Sequence, residues 1–99
     1  MLNITKTLEN GVLTVKPEGR LDTLSAHKFE ESLRESIDSA DTLILDFENL
    51  DYIASSGLRV LFNAHGIMEK KNGMKIINVS DAVMEVFELT NFVEVLCIE

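Results

Sequence analysis

The sequence predicts an α/β fold in which helices pack against one mixed β-sheet, in the order β-β-α-β-α-β-α-β. Near the N-terminus, apolar and polar residues alternate on both sides of Asn10-Gly11, a pair typical of a tight hairpin turn. Beyond residue 40, short apolar segments alternate with longer segments of helical periodicity. This alternation indicates parallel strands joined by right-handed crossovers. Ninety-nine residues suffice for a single core, so we expect one domain over residues 1–99.

The individual elements follow from local patterns. Two hairpin strands are expected at 2–9 and 12–18, and Pro17 is expected to mark the frayed end of the second strand, since proline lacks an N–H to donate. Apolar spacing and capping residues predict the remaining elements. The first helix is capped by Asp22 or Thr23 and has Ala26, Phe29, Leu33 and Ile37 on one face; it is followed by a strand at 42–47 that is buried on both faces. A second helix at 56–71 is stopped by Asn72-Gly73 and leads to a buried strand at 74–79. A third helix is capped by Ser80 and closed by Asn91 in the left-handed conformation, and a final strand follows at 93–98.

Charge and composition exclude several classes of function. Nine basic and seventeen acidic residues give a net charge of −8, which disfavours binding to nucleic acid and to anionic lipid. The single cysteine, Cys97, excludes an intramolecular disulfide and suits a reducing compartment. It lies in an apolar segment and is expected to be buried and inert. With no apolar run near the roughly 20 residues of a membrane span and no visible signal peptide, we expect a cytoplasmic protein.

The unusual segment is 50–61 (LDYIASSGLRVL), which joins the central predicted strand to the second predicted helix. Small residues and a glycine there bring backbone close to a surface, and they leave the hydroxyls of Ser55 and Ser56 at a helix N-terminus. Helix N-termini carry unpaired N–H groups and a partial positive charge, so they stabilise an anion that is bound or covalently attached. Serine is also a common helix cap. The residues alone leave both interpretations open, a structural cap and a modified serine.

The sequence offers little for catalysis. The segment around Ser55 lacks the G-x-S-x-G pattern of a nucleophile elbow. His27 is expected on the exposed side of the first helix, and His65 is expected to be a hydrogen-bonded residue at the core boundary. Neither histidine has the companions of a metal site, and no glycine-rich phosphate loop occurs. We therefore expect neither an enzyme nor a bound metal or cofactor.

Over its whole length the chain resembles the anti-sigma factor antagonist family, the single-domain bacterial form of the STAS fold. The segments that carry the resemblance are 18–26 (EGRLDTLSA), 43–47 (LILDF), 51–61 (DYIASSGLRVL) and 86–92 (VFELTNF). The resemblance implies a STAS-like mixed sheet. It also implies a partner-switching cycle in which the unmodified protein binds an anti-sigma factor that is itself a serine kinase, and so releases a sigma factor.

The resemblance assigns roles to individual residues. The kinase would phosphorylate Ser56, the serine just before the glycine, with Ser55 as a secondary acceptor, and a metal-dependent serine phosphatase would reverse the modification. Partner contacts are expected around both helix starts. The expected contact residues are Asp22, Thr23, Ser25, Ala54, Ser55, Gly57, Leu58 and Arg59. Ala54 departs from the family, whose members often carry an acidic residue there, and this departure indicates altered recognition by the kinase.

The switch requires the Ser56 hydroxyl to be exposed at the start of its helix. Two other functions remain open on the same fold. One is an accessory or scaffold subunit of a sensory or transport complex, in which Ser56 is only a cap. The other is a nucleotide-binding module that uses the same helix start, although the chain has few aromatic residues for base stacking.

Overall fold

A computed structural model describes residues 2–99, and within that range the chain forms a five-stranded mixed sheet and three α-helices. The elements are β1 (Leu2–Glu9), β2 (Val12–Leu21), α1 (Thr23–Ile37), β3 (Thr42–Asp46), β4 (Leu50–Ile53), α2 (Ser55–Met68), β5 (Met74–Ile77), α3 (Asp81–Leu89) and a short 3-10 helix (Phe92–Glu94). The predicted fold class is confirmed. The hairpin turn is confirmed as well, since Asn10 and Gly11 have positive φ angles of 52° and 80°.

Strand β2 organises the sheet. It pairs antiparallel with β1 over residues 12–19, and its other edge pairs in parallel with β3 over residues 12–15 and with β4 over residues 19–21. Pro17 lies between these two parallel segments, where neither β3 nor β4 is paired with it. The expectation that Pro17 marks the end of the strand is therefore wrong, since β2 continues to Leu21. Proline is accommodated inside β2 because the ladder changes partner there.

The core lies on one face of the sheet. Leu13, Val15, Leu43, Leu45 and Ile76 are at most 1% exposed, and the residues between them are half-buried. Helix α1 packs against β1, β2 and α2, while α2 also packs against β5. The expectation that the strand at 42–47 is buried on both faces is thus wrong. In β3 and β5, residues alternate between the core and the less covered side of the sheet.

Two parts of the predicted order are wrong. Strand β4 was not predicted, and the expected final strand at 93–98 is replaced by the 3-10 helix and a single bridge between Ile76 and Ile98. Asn91 adopts the expected left-handed conformation after α3, with φ of 62°, and the chain then turns instead of extending. Cys97 is exposed, so its predicted burial is wrong.

The helix boundaries differ slightly from those predicted. Helix α2 begins one residue earlier than expected and ends at Met68, where the N–H of Gly73 donates to the Met68 carbonyl at 3.0 Å. Ser80 caps α3, as predicted, by accepting a hydrogen bond from the N–H of Val83. Across residues 2–99, none of the helices combines the length and the apolar character needed to span a membrane.

Candidate functional site

The starts of α1 and α2 lie side by side at one end of the sheet. Strands β2 and β4 run parallel and end at paired residues, Leu21 and Ile53. Helix α1 begins at Thr23 and α2 at Ser55, immediately after those strand ends. The N–H of Ala54 donates to the carbonyl of Leu21 at 2.8 Å, which fixes one helix start against the other. The two segments expected to contact a partner, far apart in sequence, are therefore brought together.

Helix α1 starts with a complete capping box. The carboxylate of Asp22 accepts the N–H groups of Leu24 at 3.1 Å and Ser25 at 3.0 Å, and the Ser25 hydroxyl accepts the N–H of Asp22 at 2.9 Å. The same hydroxyl donates to the carbonyl of Arg20 at 2.8 Å. The backbone N–H of Ser25 holds the pKa of Asp22 below its usual value. Asp22, and not Thr23, is the cap, and Thr23 remains exposed.

Helix α2 starts differently. Its N-cap is Ala54, an extended residue with φ of −96° and ψ of 171°, and across residues 2–99 no side chain caps this end. Ser55 and Ser56 occupy the first two helical positions, so the interpretation of either serine as the cap is wrong. The physical reason is the strand pairing. Strand β4 continues to Ile53 and the N–H of Ala54 is bound to Leu21, and the helix begins at the next residue, so both serines already lie within its first turn.

The two serine hydroxyls point in different directions. Ser55 is exposed. Ser56 is half-buried as a residue, but its Oγ is buried and has no hydrogen-bond partner among the described residues. The expectation that this hydroxyl stands exposed is wrong. An unpaired buried hydroxyl costs about 1–3 kcal/mol, so the position of Ser56 has a price in stability.

Gly57 explains how closely α2 approaches the sheet. A Cβ added to this buried glycine would lie 2.9 Å from Cγ1 of Ile53, 2.9 Å from Cγ of Leu21 and 3.0 Å from its Cδ2. Both neighbours belong to the core, with at most 2% exposure. The first turn of α2 therefore rests directly on the paired strand ends, at a distance that only glycine permits.

The remaining predicted contact residues divide by exposure. Leu58 is 4% exposed and packs in the core, whereas Arg59 is exposed. Sequence reasoning missed Leu24, which is 89% exposed in the first turn of α1. The available signal was an apolar residue outside the buried stripe of that helix. It also missed the guanidinium of Arg20, which lies 4.3 Å from the centre of the Tyr52 ring.

The histidines lie away from the two helix starts. His27 is exposed, as predicted, and its Nε2 lies 2.8 Å from a carboxylate oxygen of Glu31. His65 lies at the core boundary, as predicted. Its Nδ1 is buried without a hydrogen-bond partner in residues 2–99, so the expectation that this side chain is hydrogen-bonded is wrong. In the same range, His, Cys, Asp and Glu side chains do not group in a way that could hold a metal ion.

Comparison with known proteins gives a consistent result. The family model described as "STAS domain" matches residues 3–99. BtrV of Bordetella bronchiseptica, whose name gives it a proposed role as an anti-sigma factor antagonist, is 28% identical over 96 residues, covering 95% of this chain and 83% of BtrV.

Solved structures agree on the fold. An anti-sigma factor antagonist from Mycobacterium paratuberculosis superposes with a TM-score of 0.89 at 20% identity, covering 99% of this chain and 85% of the other. The phosphorylated form of the Bacillus cell fate determinant SpoIIAA gives a TM-score of 0.74 at 18% identity, covering 100% of this chain and 91% of SpoIIAA.

Proposed function

Because the chain belongs to the STAS domain family, we propose that it is an anti-sigma factor antagonist controlled by phosphorylation of Ser56. The unmodified protein binds an anti-sigma factor that is also a serine kinase, and so releases a sigma factor. Phosphorylation by that kinase ends the interaction, and a metal-dependent serine phosphatase restores it. The protein acts without catalysis of its own, in the cytoplasm. The observation that carries the proposal is the pair of serines in the first turn of α2, fixed beside the start of α1.

The position suits a charge switch. A phosphate adds about −1.5 to −2 charges, and the partial positive charge of a helix N-terminus stabilises it within the folded protein. Inside an interface the same charge must lose its water, which weakens the complex. A loss of about 2.7 kcal/mol lowers affinity roughly a hundredfold. Phosphorylation can therefore control binding without any change of fold.

The inward hydroxyl of Ser56 is compatible with this role. Oγ has no hydrogen-bond partner among residues 2–99, so turning it outward breaks no bond to the described chain. A serine side chain changes between staggered rotamers by rotation about a single bond. Ser55, which is already exposed, is the secondary acceptor.

We assign partner contacts to residues around both helix starts. Thr23, Ser55 and Arg59 are exposed there, and Asp22, Ser25 and Ala54 are partly exposed. Gly57 and Leu58 are buried, so they support this surface from beneath and do not offer side chains to a partner. Ala54 replaces the acidic residue common in the family, which leaves the kinase without a carboxylate at that point.

The test uses ATPase-type anti-sigma factor kinases from the source organism. Intact-mass measurement should detect one added phosphate on the unmodified chain and on Ser55→Ala, and much less on Ser56→Ala, where only the secondary acceptor Ser55 remains. Ser56→Asp should lower kinase affinity by about a hundredfold, measured by calorimetry, whereas Ser56→Ala should keep it. Equal affinity of the unmodified chain and both Ser56 variants for every kinase tested would reject the switch.

The buried Oγ of Ser56 favours one alternative, an accessory or scaffold subunit of a sensory or transport complex that is never phosphorylated. Affinity capture from source cells distinguishes the two functions by the identity of the bound chain. An anti-sigma factor kinase supports the switch, and a receptor or transporter subunit supports the scaffold.

A further inference from the structure

We infer that Gly57 is the positioning residue of the phosphorylation site: its missing side chain lets the first turn of α2 rest on the strand ends, and this keeps the Ser56 hydroxyl turned inward. The inference rests on the proposed function for its significance. Its geometric content is independent of any kinase.

The contact beneath Gly57 is unusually close and hard to relax. The three atoms that an added Cβ would meet, at 2.9 to 3.0 Å, are branch-point and adjacent carbons of Leu21 and Ile53. These side chains are 0% and 2% exposed, and their backbones are partners in the β2–β4 ladder. A well-packed core cannot move such atoms freely. The first turn of α2 would have to move away from the sheet instead.

The position of that turn determines where the serines point. Ser56 directly precedes Gly57, and its Oγ is buried although nothing in the described chain bonds to it. A hydroxyl gains nothing from burial of this kind, so its own bonding does not explain its position. The close packing at Gly57 does, because it sets how near the backbone of the first turn lies to the strand ends. Ser55, one residue further from the contact, remains exposed.

Gly66 provides a matched comparison within the same helix. Apart from the adjacent residues and the backbone of its own helix, no atom of the described chain would lie within 4 Å of a Cβ at this exposed position. Gly66→Ala therefore reproduces the change in helix propensity that accompanies Gly57→Ala, without the contact.

Thiol labelling tests the inference without a kinase. In a Cys97→Ser background, Ser55→Cys and Ser56→Cys are each reacted with a water-soluble maleimide under native conditions. We expect the Ser56→Cys thiol to react slower than the Ser55→Cys thiol by about tenfold or more, because thiol reactivity follows exposure. Adding Gly57→Ala should raise the rate at position 56 to nearly that at position 55. Adding Gly66→Ala should change neither rate.

Each result has a defined meaning. Equal rates at positions 55 and 56 without Gly57→Ala overturn the inference, as does a slow rate at 56 in a folded Gly57→Ala variant. Circular dichroism establishes folding. If Gly57→Ala does not fold, Leu21→Ala is added to make room, and the slow rate at position 56 must return in that folded double variant. Failure of this test leaves kinase binding untouched, so the two proposals fail separately.

Discussion

The carboxylate of Asp22 has two roles. Through its capping box it holds the first turn of α1, and through its location it borders the surface proposed to meet a partner. Because the cap depends on an ionised carboxylate that accepts backbone N–H groups, the start of α1 is sensitive to acid. The proposed partner surface and the local stability of α1 therefore depend on the same titrating group.

We predict that Asp22 makes the protein less stable in acid. Its pKa in the folded state lies below the usual 3.8, so the unfolded chain binds the proton more readily. The stabilisation is complete above the unfolded pKa and is lost as pH falls through the folded pKa. Asp22→Asn keeps a capping oxygen that does not titrate. Urea unfolding from about pH 6 to about pH 2 should therefore show a shallower loss of stability for Asp22→Asn, and parallel curves would contradict the prediction.

The sequence predicts some features of individual residues and not others. The cap at Asp22 and the left-handed Asn91 were predictable because each depends on a few adjacent residues. The inward hydroxyl of Ser56 was not, because it results from contact between the next residue, Gly57, and two strands that are distant in sequence. The prediction that Cys97 is buried was wrong for a related reason, since the exposure of this residue depends on the path of the chain after α3.

Among the elements, α2 has the weaker start. Helix α1 has a full capping box, whereas no side chain within residues 2–99 caps α2 at Ala54. The backbone of Ala54 already has the extended conformation of a capping residue. Only the side-chain oxygen is missing.

We therefore predict that Ala54→Asp stabilises the protein by about 0.5–2 kcal/mol, because the new carboxylate can accept an N–H group of the first turn and interacts favourably with the helix dipole. Urea unfolding at pH 7 measures the change. Ala82→Asp, in the first turn of α3, which Ser80 already caps, is the control and should give a smaller gain. A loss of stability in Ala54→Asp would show that the site cannot accommodate the carboxylate.

Elements defined by local patterns were predicted, and those defined by partners were not. The hairpin and the three helices carry their signals within their own residues. Strand β4 spans only four residues with apolar side chains at both ends, Leu50 and Ile53, and it becomes a strand by pairing with β2. The segment 93–98 has the composition of a strand, but after Asn91 it meets β5 only at one bridge.

For the whole molecule, the dominant electrostatic property is the net charge of −8. Like charges repel in the compact state, and salt screens them. We predict that raising sodium chloride from about 50 mM to about 500 mM raises the thermal midpoint. The double variant Glu9→Gln/Glu85→Gln, at two exposed positions, reduces the net negative charge from −8 to −6 and should show a smaller rise of the thermal midpoint. An equal or larger rise in the variant would contradict charge repulsion as the cause.

The hydrogen bond between Ala54 and Leu21 has a consequence for recognition. It joins the starts of two helices into one preorganised corner before any partner arrives. A partner that touches both helices meets a surface whose backbone is already ordered, so association loses little conformational entropy there. Encounter should then proceed in one step, with an observed rate that increases linearly with partner concentration.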